Sequence, residues 1–417
     1  MRASSRVSSR LPGRDQRERD TVHTPMPLLL HLADVHLGAR HADMGAAAVR
    51  QRERQLAAFR RALDEGLQAG VDGVLVCGDL FDSNAQPRRS VEQAVAQLKR
   101  LTDVGIRAVI IPGTHDVYDG RSIYRAFDLR QMAGLPTGSD LLTVLTPEQP
   151  ELLLKDLDLL VYGRVFGTKR APHSPLAGFD VRNDDRARWK VGMIHGSRRL
   201  PGVVEEDDVI FSDAEVAASG LHYLALGHWH SFSSGRSGHT TWAYPGAPEP
   251  VAVDQDGAGH VCLVSLGQGA DGADDVIVEK ISVGRTVFRS ERIDAADAGS
   301  APELTERLRE LADPDLVLHV SIEGIAPETL EIDADEIERA LAGSFLHVRV
   351  RDRSATELGE DRDLPEDTVA GKFVLDLRSR IEAAEASGDE EAAERARQVL
   401  RLGRRLLLDD PDHVTLP

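Results

Sequence analysis

The feature that most constrains the fold is a set of five short apolar stretches, each followed within four residues by aspartate or histidine. Their length and their Leu, Val and Ile content are typical of buried strands. The stretches are Leu28–Leu32, Val74–Cys77, Ala108–Ile111, Val191–Ile194 and Tyr223–Leu226. In parallel α/β sheets, ligands bind outside the carboxyl ends of the strands. The polar side chains that follow these stretches are therefore expected to converge on one crevice.

Helical patterns separate the first three of these stretches. Residues 49–69 place Leu56, Phe59 and Leu63 on one stripe, and residues 90–104 form a similar pattern. Strand-helix-strand order predicts parallel pairing with right-handed crossovers. The later segments Thr240–Tyr244, Val261–Leu266 and Asp275–Val283 are separated by glycine-rich turns and are expected to be antiparallel strands.

The pattern changes along the chain, and the changes predict five segments. An Arg- and Ser-rich disordered tail covers residues 1–25, with Met26 as a natural start, and the α/β domain covers 26–284. A small α+β domain covers 285–353, an acidic linker covers 354–367, and a helical hairpin covers 368–417. The apolar stripes of this hairpin suit packing on the body of the protein, and they also suit docking of a partner.

Composition limits the classes of function. The net charge of −19 disfavours independent binding to duplex DNA, because proteins that do so are usually basic. A nucleic-acid substrate stays open, since bound divalent cations bring positive charge to a phosphate. Cys77 and Cys262 lie in strand-like stretches and are expected to be buried, reduced thiols of a cytoplasmic protein. The apolar stretches fall short of the ~20 residues that cross a bilayer, so no membrane association is expected.

The polar residues at the strand ends suit metal chemistry. They are Asp34 and His36, Asp79 and Asp82, His115 and Asp116, His195, and His228 and His230. Carboxylates are hard oxygen donors, and imidazoles bind Mn, Fe and Zn. One carboxylate can bridge two ions about 3.5–4 Å apart, an arrangement that activates water and clamps a phosphoryl group. Each piece alone also fits a capping loop or a core histidine, but the ordered set favours a two-metal site.

The set Asp34-x-His36, Gly78-Asp79-x-x-Asp82, Gly113-x-His115-Asp116, His195-Gly196 and Gly227-His228-x-His230 resembles the calcineurin-like metallophosphoesterase superfamily. The stretches HLADVHLG, VDGVLVCGDLFDS and YPGAPEP are similar to those of SbcD-type and YhaO-like DNA-repair exonucleases. The resemblance covers residues 27–350. It implies an α/β fold in which two mixed sheets flanked by helices form a four-layer αββα sandwich, with a small α+β cap domain and C-terminal helices.

The resemblance also implies roles for the residues. One divalent ion would be held by Asp34, His36, Asp79 and His230, and a second by Asp79, His195 and His228, with Mn²⁺ as the expected metal. His115 would support the leaving oxygen of the scissile phosphate, and Asp116 would orient its imidazole. Asp82 would support a ligand or its loop from outside the metal's immediate ligands.

One position departs from the family pattern. The family usually has asparagine before the catalytic histidine, and its carbonyl binds the second metal, whereas this chain has Thr114. Either Thr114 or a water molecule takes that place, or the second site is weaker. Basic residues near the motifs are candidate contacts for substrate phosphates, although arginine is common throughout the chain: Arg40, His41, Arg121, Arg198 and Arg199.

These observations predict a metal-dependent phosphodiesterase, specifically a DNA exonuclease or endonuclease in DNA repair. The alternatives are a phosphoesterase for small nucleotides or phosphoproteins, and a non-catalytic metal-binding scaffold, which only Thr114 supports. The cap domain favours a polymer substrate. The resemblance implies an SbcC-type, SMC-like ATPase as partner, and a homodimer is also open.

Overall fold

The computed structural model describes residues 26–253, 255, 257–269, 272–326, 330, 332–356, 365 and 368–408. The expected tail at residues 1–25 lies outside these residues, as does most of the expected acidic linker. The chain divides into two compact units after Phe288.

The first unit contains fourteen strands and five α-helices among its described residues. The strands are β1 (Leu28–Leu32), β2 (Gly73–Cys77), β3 (Arg107–Ile111), β4 (Leu142–Val144), β5 (Glu151–Leu154), β6 (Leu159–Gly163), β7 (Trp189–His195), β8 (Ser197–Arg198), β9 (Ile210–Phe211), β10 (Tyr223–Gly227), β11 (Ser233–Ser237), β12 (Thr240–Tyr244), β13 (His260–Gln268) and β14 (Asp274–Ser282). The helices are α1 (Ala48–Ala69), α2 (Arg88–Thr102), α3 (Ile123–Ala126), α4 (Leu129–Met132) and α5 (Asp213–Ala218). Two 3-10 turns cover Ala42–Ala47 and Lys155–Leu157.

The first sheet has the strand order β14-β13-β1-β2-β3-β4. Strands β1 to β4 are parallel, with Leu30 opposite Val74 and Val76 opposite Ile110. Helices α1 and α2 are the crossovers between them, as the strand-helix-strand pattern predicts. Strands β13 and β14 are antiparallel, as expected. The carboxyl ends of β1, β2 and β3 therefore meet at one edge.

The second sheet has the order β11-β12-β10-β7-β6-β5. Strands β6, β7, β10 and β12 are parallel, and the edge strands β5 and β11 are antiparallel to their neighbours. The expectation that Thr240–Tyr244 is antiparallel holds only toward β11. A tight turn at 238–239 reverses the chain between β11 and β12, so β12 runs parallel to β10 on its other side.

The two sheets pack face to face. Leu75 and Val109 of the first sheet share one apolar core with Val161, Val191 and Ala225 of the second. The outer face of the first sheet is covered by the apolar stripes of α1 and α2. The outer face of the second is covered by α5 and by the segment between β6 and β7. These layers confirm the predicted four-layer sandwich with two mixed sheets.

A buried polar bridge crosses this core. His31 of β1 is fully buried, its Nδ1 lies 2.8 Å from the hydroxyl of Tyr223, and its Nε2 donates to the carbonyl of Leu226 at 3.1 Å. Both partners belong to β10. The bridge therefore joins the two strands that lead into Asp34 and His228, and its neutral form is favoured because burial lowers the pKa of His31 to about 3.

The second unit is a small α+β fold. Its sheet has the order β15 (Val287–Asp294), β16 (Asp313–Glu323), β18 (Phe345–Asp352), and β17 (Ile325–Ala326) pairs with β19 (Ala355–Thr356). A 3-10 turn at Ala295–Asp297 and the helices α6 (Ala301–Arg309) and α7 (Ala334–Leu341) complete it. Ser300 caps α6 within a capping box with Glu303.

An aliphatic core fills this unit, with Leu318, Val320 and Ile337 at its centre. The last two helices, α8 (Val369–Ser387) and α9 (Glu390–Leu408), are separated at Gly388, whose left-handed backbone ends α8.

Candidate metal centre

The backbone at the strand ends adopts a conformation that side chains other than glycine rarely take. Asp34, His36, Asp79 and His228 have φ values of 55°, 49°, 50° and 98°. Hydrogen bonds hold this geometry, from Asp34 N to Gly78 O at 3.2 Å and from His36 N to Asp79 O at 2.9 Å. Left-handed backbone in non-glycine residues costs free energy and concentrates at functional sites. The strained backbone therefore lies at the positions that the sequence motifs mark.

Two glycines leave the space that this arrangement needs. A Cβ atom on Gly113 would lie 2.2 Å from Asp79 Oδ1, and one on Gly78 would lie 2.2 Å from His195 Nδ1. Both distances are far below van der Waals contact. Any side chain at either position would displace Asp79 or His195.

The side chains form three overlapping clusters of potential ligand atoms among the described residues. The clusters are Asp34, His36 and His230; Asp34, Asp79 and His195; and His36, Asp82 and His115. Within each cluster the ligand atoms lie within 4.8 Å of one another. Residues from five strand ends therefore meet at one place, which was the expectation from the sequence.

The His195 side chain shows why a cation fits here. Its Nδ1 donates to the Cys77 carbonyl at 2.9 Å, so in the neutral ring Nε2 carries the lone pair. Nε2 is buried, lies 3.1 Å from Asp79 Oδ2, and lacks the angle of a hydrogen bond. Burial lowers the pKa of His195, but the Asp79 and Asp34 carboxylates outweigh it and raise the pKa to about 10. The surroundings of Nε2 therefore favour a positive charge, and a divalent cation can supply it in place of the proton.

His36 and His230 form a second group of potential metal ligands beside carboxylates. Their Nε2 atoms lie 3.1 Å apart, and His230 Nε2 is 3.9 Å from Asp34 Oδ1. His36 Nδ1 is buried, lacks a partner in hydrogen-bonding geometry, and lies 3.4 Å from Asp82 Oδ1. Two imidazole nitrogens beside carboxylates are an ordinary donor set for Mn, Fe or Zn. The residues present therefore fit divalent cations.

His115 lies at the exposed rim of the site. Its ring packs edge-on against His36, with centroids 4.8 Å apart, and its Nδ1 donates to the Asp82 carbonyl at 3.0 Å. Asp116 was expected to orient this ring, but in the structure the backbone carbonyl of Asp82 binds Nδ1 instead.

Asp116 is fully buried and supports the loop instead. It accepts hydrogen bonds from Gly113 N at 2.7 Å, Phe81 N at 3.1 Å and the Tyr124 hydroxyl at 2.6 Å. Both oxygens of its carboxylate are therefore engaged by these three donors. Burial, together with the charge of Asp79, raises the pKa of Asp116.

His228 stands apart from the three clusters. Its backbone N–H donates to the Asp34 carboxylate at 2.9 Å, but its ring Nε2 lies 3.0 Å from Asp207 Oδ2. This hydrogen bond from His228 lowers the pKa of Asp207. Sequence reasoning missed Asp207 because it belongs to the run Glu205-Glu206-Asp207-Asp208, which looks like an ordinary solvated acidic loop.

Thr114 is buried beside His195. Both residues line a small pocket together with Gly113, Arg164 and Lys169. Lys169 is a basic side chain that the sequence analysis did not select, and it pairs with Asp208 at 3.6 Å. The placement of Thr114 suits the predicted part in the second metal site, and that part stays a prediction.

The candidate phosphate contacts fare unequally. His41 is buried, and its Nε2 lies 2.8 Å from Gln55 Oε1, so its contact with substrate stays a prediction without support from exposure. Arg198 is held by Asp213 at 2.6 Å and lies 4.4 Å from the Trp242 ring centroid. Arg40, Arg121 and Arg199 are exposed.

In the described part of the chain, none of the helices is long and apolar enough to cross a bilayer.

The comparisons with known proteins agree with this geometry. The family described as calcineurin-like phosphoesterase matches residues 27–232. A protein of Aeropyrum pernix named DNA double-strand break repair protein Mre11 is 28% identical over 66% of this chain and 65% of its own length. The uncharacterized metallophosphoesterase YhaO of Bacillus subtilis is 25% identical over 72% of each chain. The Mre11 protein of Halobacterium salinarum is 25% identical over 81% of this chain and 80% of its own.

Proposed function

Starting from the calcineurin-like metallophosphoesterase domain that this chain contains, we propose that the protein is a metal-dependent phosphodiesterase that cleaves DNA. The observation that carries the proposal is the convergence of Asp34, His36, Asp79, His195 and His230, at the rim of which His115 lies. The DNA substrate is supported by the relatives named for double-strand break repair.

Two divalent ions would be held as the sequence analysis expects, with Asp79 shared between them. When bound, such ions supply Lewis-acid charge to a phosphoryl group and make a water molecule more acidic. The protein contributes preorganisation. Cys77 fixes the tautomer of His195, and left-handed backbone aims Asp34 and His36 inward.

His115 would donate a proton to the leaving oxygen. The Asp82 carbonyl binds Nδ1–H and orients the ring, which leaves Nε2 free of that bond. The side chain is exposed, so a phosphodiester can reach it. General acid catalysis of this kind contributes typically ~10²–10⁴-fold.

The test uses the purified full-length protein with Mn²⁺. Labelled linear DNA, single-stranded DNA, bis-p-nitrophenyl phosphate, p-nitrophenyl phosphate and a set of small nucleotides would be compared in one assay, with Asp79→Asn as the inactive control. We expect cleavage of DNA and of the diester and little hydrolysis of the monoester. Preference for the small nucleotides, or for the monoester as a stand-in for a phosphoprotein, would favour the alternative phosphoesterase, and metal binding without any hydrolysis would favour the scaffold.

Further finer expectations are part of the same proposal. The metal is expected to be Mn²⁺, and the α8–α9 hairpin is proposed as a docking element for an SMC-like ATPase. Pull-down of a purified coiled-coil ATPase of this class by the full chain, but not by a chain ending at residue 367, would support that docking.

A further inference from the structure

We propose that Asp207 is a positioning residue that fixes the imidazole of His228, so that Nδ1 of this ring is presented to the second metal ion. The inference rests on the proposed two-metal site and names a residue that neither the motifs nor the family match assigns. Its basis is the contact of Asp207 Oδ2 with His228 Nε2 at 3.0 Å.

The chemistry of this contact decides the protonation of the ring. An ionised carboxylate only accepts hydrogen bonds, so His228 Nε2 carries the proton. In the neutral ring, Nδ1 then keeps its lone pair. Nδ1 is also at the near end of the side chain, where the backbone N–H of His228 donates to the Asp34 carboxylate at 2.9 Å. The two hydrogen bonds thus hold the residue from both ends, one at the cluster and one at Asp207.

Asp207 is itself held in place. The Ser197 hydroxyl donates to Asp207 Oδ2, and this hydroxyl accepts from Trp229 Nε1 at 2.8 Å. Asp208 N donates to Asp207 Oδ1 at 2.6 Å. Trp229 follows His228 directly in the chain, so these hydrogen bonds form a closed circuit through Asp207, Ser197, Trp229 and His228. A carboxylate fixed in this way differs from a surface ion pair, whose side chains are free to separate.

The position of this circuit matters because of Thr114. The resemblance described above implies an amide ligand where this chain has Thr114, so the second site would rest more heavily on its other protein ligands. A carboxylate behind a metal-binding histidine orients the ring and raises its basicity, and loss of such a partner typically lowers metal affinity ~10–100-fold. Asp207 therefore strengthens His228 at the site where the expected amide is replaced by a hydroxyl.

The chain offers a matched control in the next residue. Asp208 has the same charge and similar exposure, 26% against 24% for Asp207, but it faces Lys169 and Arg170, each at 3.6 Å. Removing either carboxylate changes the net charge by the same amount. Only Asp207 contacts His228.

The experiment is Mn²⁺ titration of the full-length protein by calorimetry, with Asp207→Ala, Asp208→Ala and His228→Ala compared with the parent. We expect Asp207→Ala to raise one of the two Mn²⁺ dissociation constants ~10–100-fold and Asp208→Ala to leave both nearly unchanged. Asp207→Asn, which keeps an acceptor but loses the charge, should fall between and provides a second variant if alanine disturbs folding.

A double-mutant cycle makes the test specific to His228. In the His228→Ala background, Asp207→Ala should have no further effect on metal affinity, since the residues act as one unit. Equal effects of Asp207→Ala and Asp208→Ala, no effect of Asp207→Ala, or an undiminished effect without His228 would each overturn the proposal. These outcomes are separate from the proposed function, because a parent that binds both ions tightly but leaves DNA intact would refute that function alone.

Discussion

The two sides of the candidate centre are built differently. Asp34, Asp79 and His195 form a buried side, with side chains 0–2% exposed and contacts to the backbone of neighbouring strands. His115, His228 and His230 form an open side, where His228 and His230 are 24% and 21% exposed. Substrate can approach only the open side. The buried side is set by the sheets, whereas the open side is set by loops.

The difference predicts on which side of the centre the loss of a residue can be tolerated. On the buried side, left-handed backbone, close glycines and core packing all determine the same geometry, so a lost ligand has no substitute. On the open side, the ring of His115 is held by Asp82 and the ring of His228 by Asp207, and both partners come from loops. The effects of substitutions are expected to follow this division.

The largest effect is expected for Asp79→Asn on the buried side. Asp79 is proposed as the shared ligand, so the change should lower turnover of a diester on the order of 10⁴-fold or more, since several kcal/mol of charge stabilisation would be lost. Metal content at both positions should fall, as measured by elemental analysis after gel filtration. Asp158→Asn is the control, because Asp158 is also left-handed (φ 48°) but lies outside the clusters. A mutant that retained two tightly bound ions would refute the bridging role.

His115→Ala tests the open side. Turnover should fall ~10²–10⁴-fold through loss of the proton donor, while both metal constants stay at the parental values. Rates on bis-p-nitrophenyl phosphate and metal content would be measured together. His239→Ala, in the exposed turn between β11 and β12, provides the control. Loss of metal in His115→Ala would place this histidine among the ligands and erase the division.

Thr114→Asn should have a smaller effect and of the opposite sign. An amide at this position, beside His195, should lower the larger of the two Mn²⁺ dissociation constants about tenfold. This is the low end of the range for groups that tune a metal site. Activity at limiting Mn²⁺ should rise, and the tighter constant should not change. Thr168→Asn is the control, because Thr168 lines the same pocket but is exposed. No gain would mean that Thr114 or a water molecule already fills the position.

The smallest effect on turnover is expected for His31→Asn, which replaces the buried histidine that bridges β1 and β10. Its main effect should be on stability. Burial lowers the pKa of His31 from 6.5 to about 3, so between these values the unfolded chain binds more protons than the folded one. Its contribution to stability is complete above pH 6.5 and is lost as the pH falls toward 3. The free energy of unfolding of the variant should therefore fall less steeply with acid, by up to ~1.4 kcal/mol per pH unit.

Urea unfolding of both proteins between pH 7.5 and 5, with a chelator present, measures this difference. Identical slopes would show that His31 is charged in the folded state, and that the bridge between β1 and β10 is not the neutral one described here.

Much of the fold followed from local signals. The positions of α1, β2 and the α8–α9 hairpin were predictable because apolar periodicity and glycine breaks are written into consecutive residues. The direction of Thr240–Tyr244 was not, since it depends on which neighbour β10 accepts. That choice is made by tertiary packing and leaves no pattern in the strand itself.

The candidate site divides in the same way. Asp34, Asp79 and His195 could be found because each follows an apolar strand directly. Asp207 follows no strand and lies in an acidic run, so only its contact with His228 distinguishes it from Asp208. Asp116 was found, but its partners were not, because the Tyr124 hydroxyl and two backbone amides reach it from separate segments.

The close approach of Gly113 to Asp79 and of Gly78 to His195 bears on how such a centre decays in evolution. A single added methyl group at either glycine would silence the site as fully as loss of an aspartate, while every aspartate and histidine stayed in place. A lineage drifting toward a purely architectural role would meet no selection against that change. This chain has glycine at both positions, so the empty space and the ligands that need it are present together.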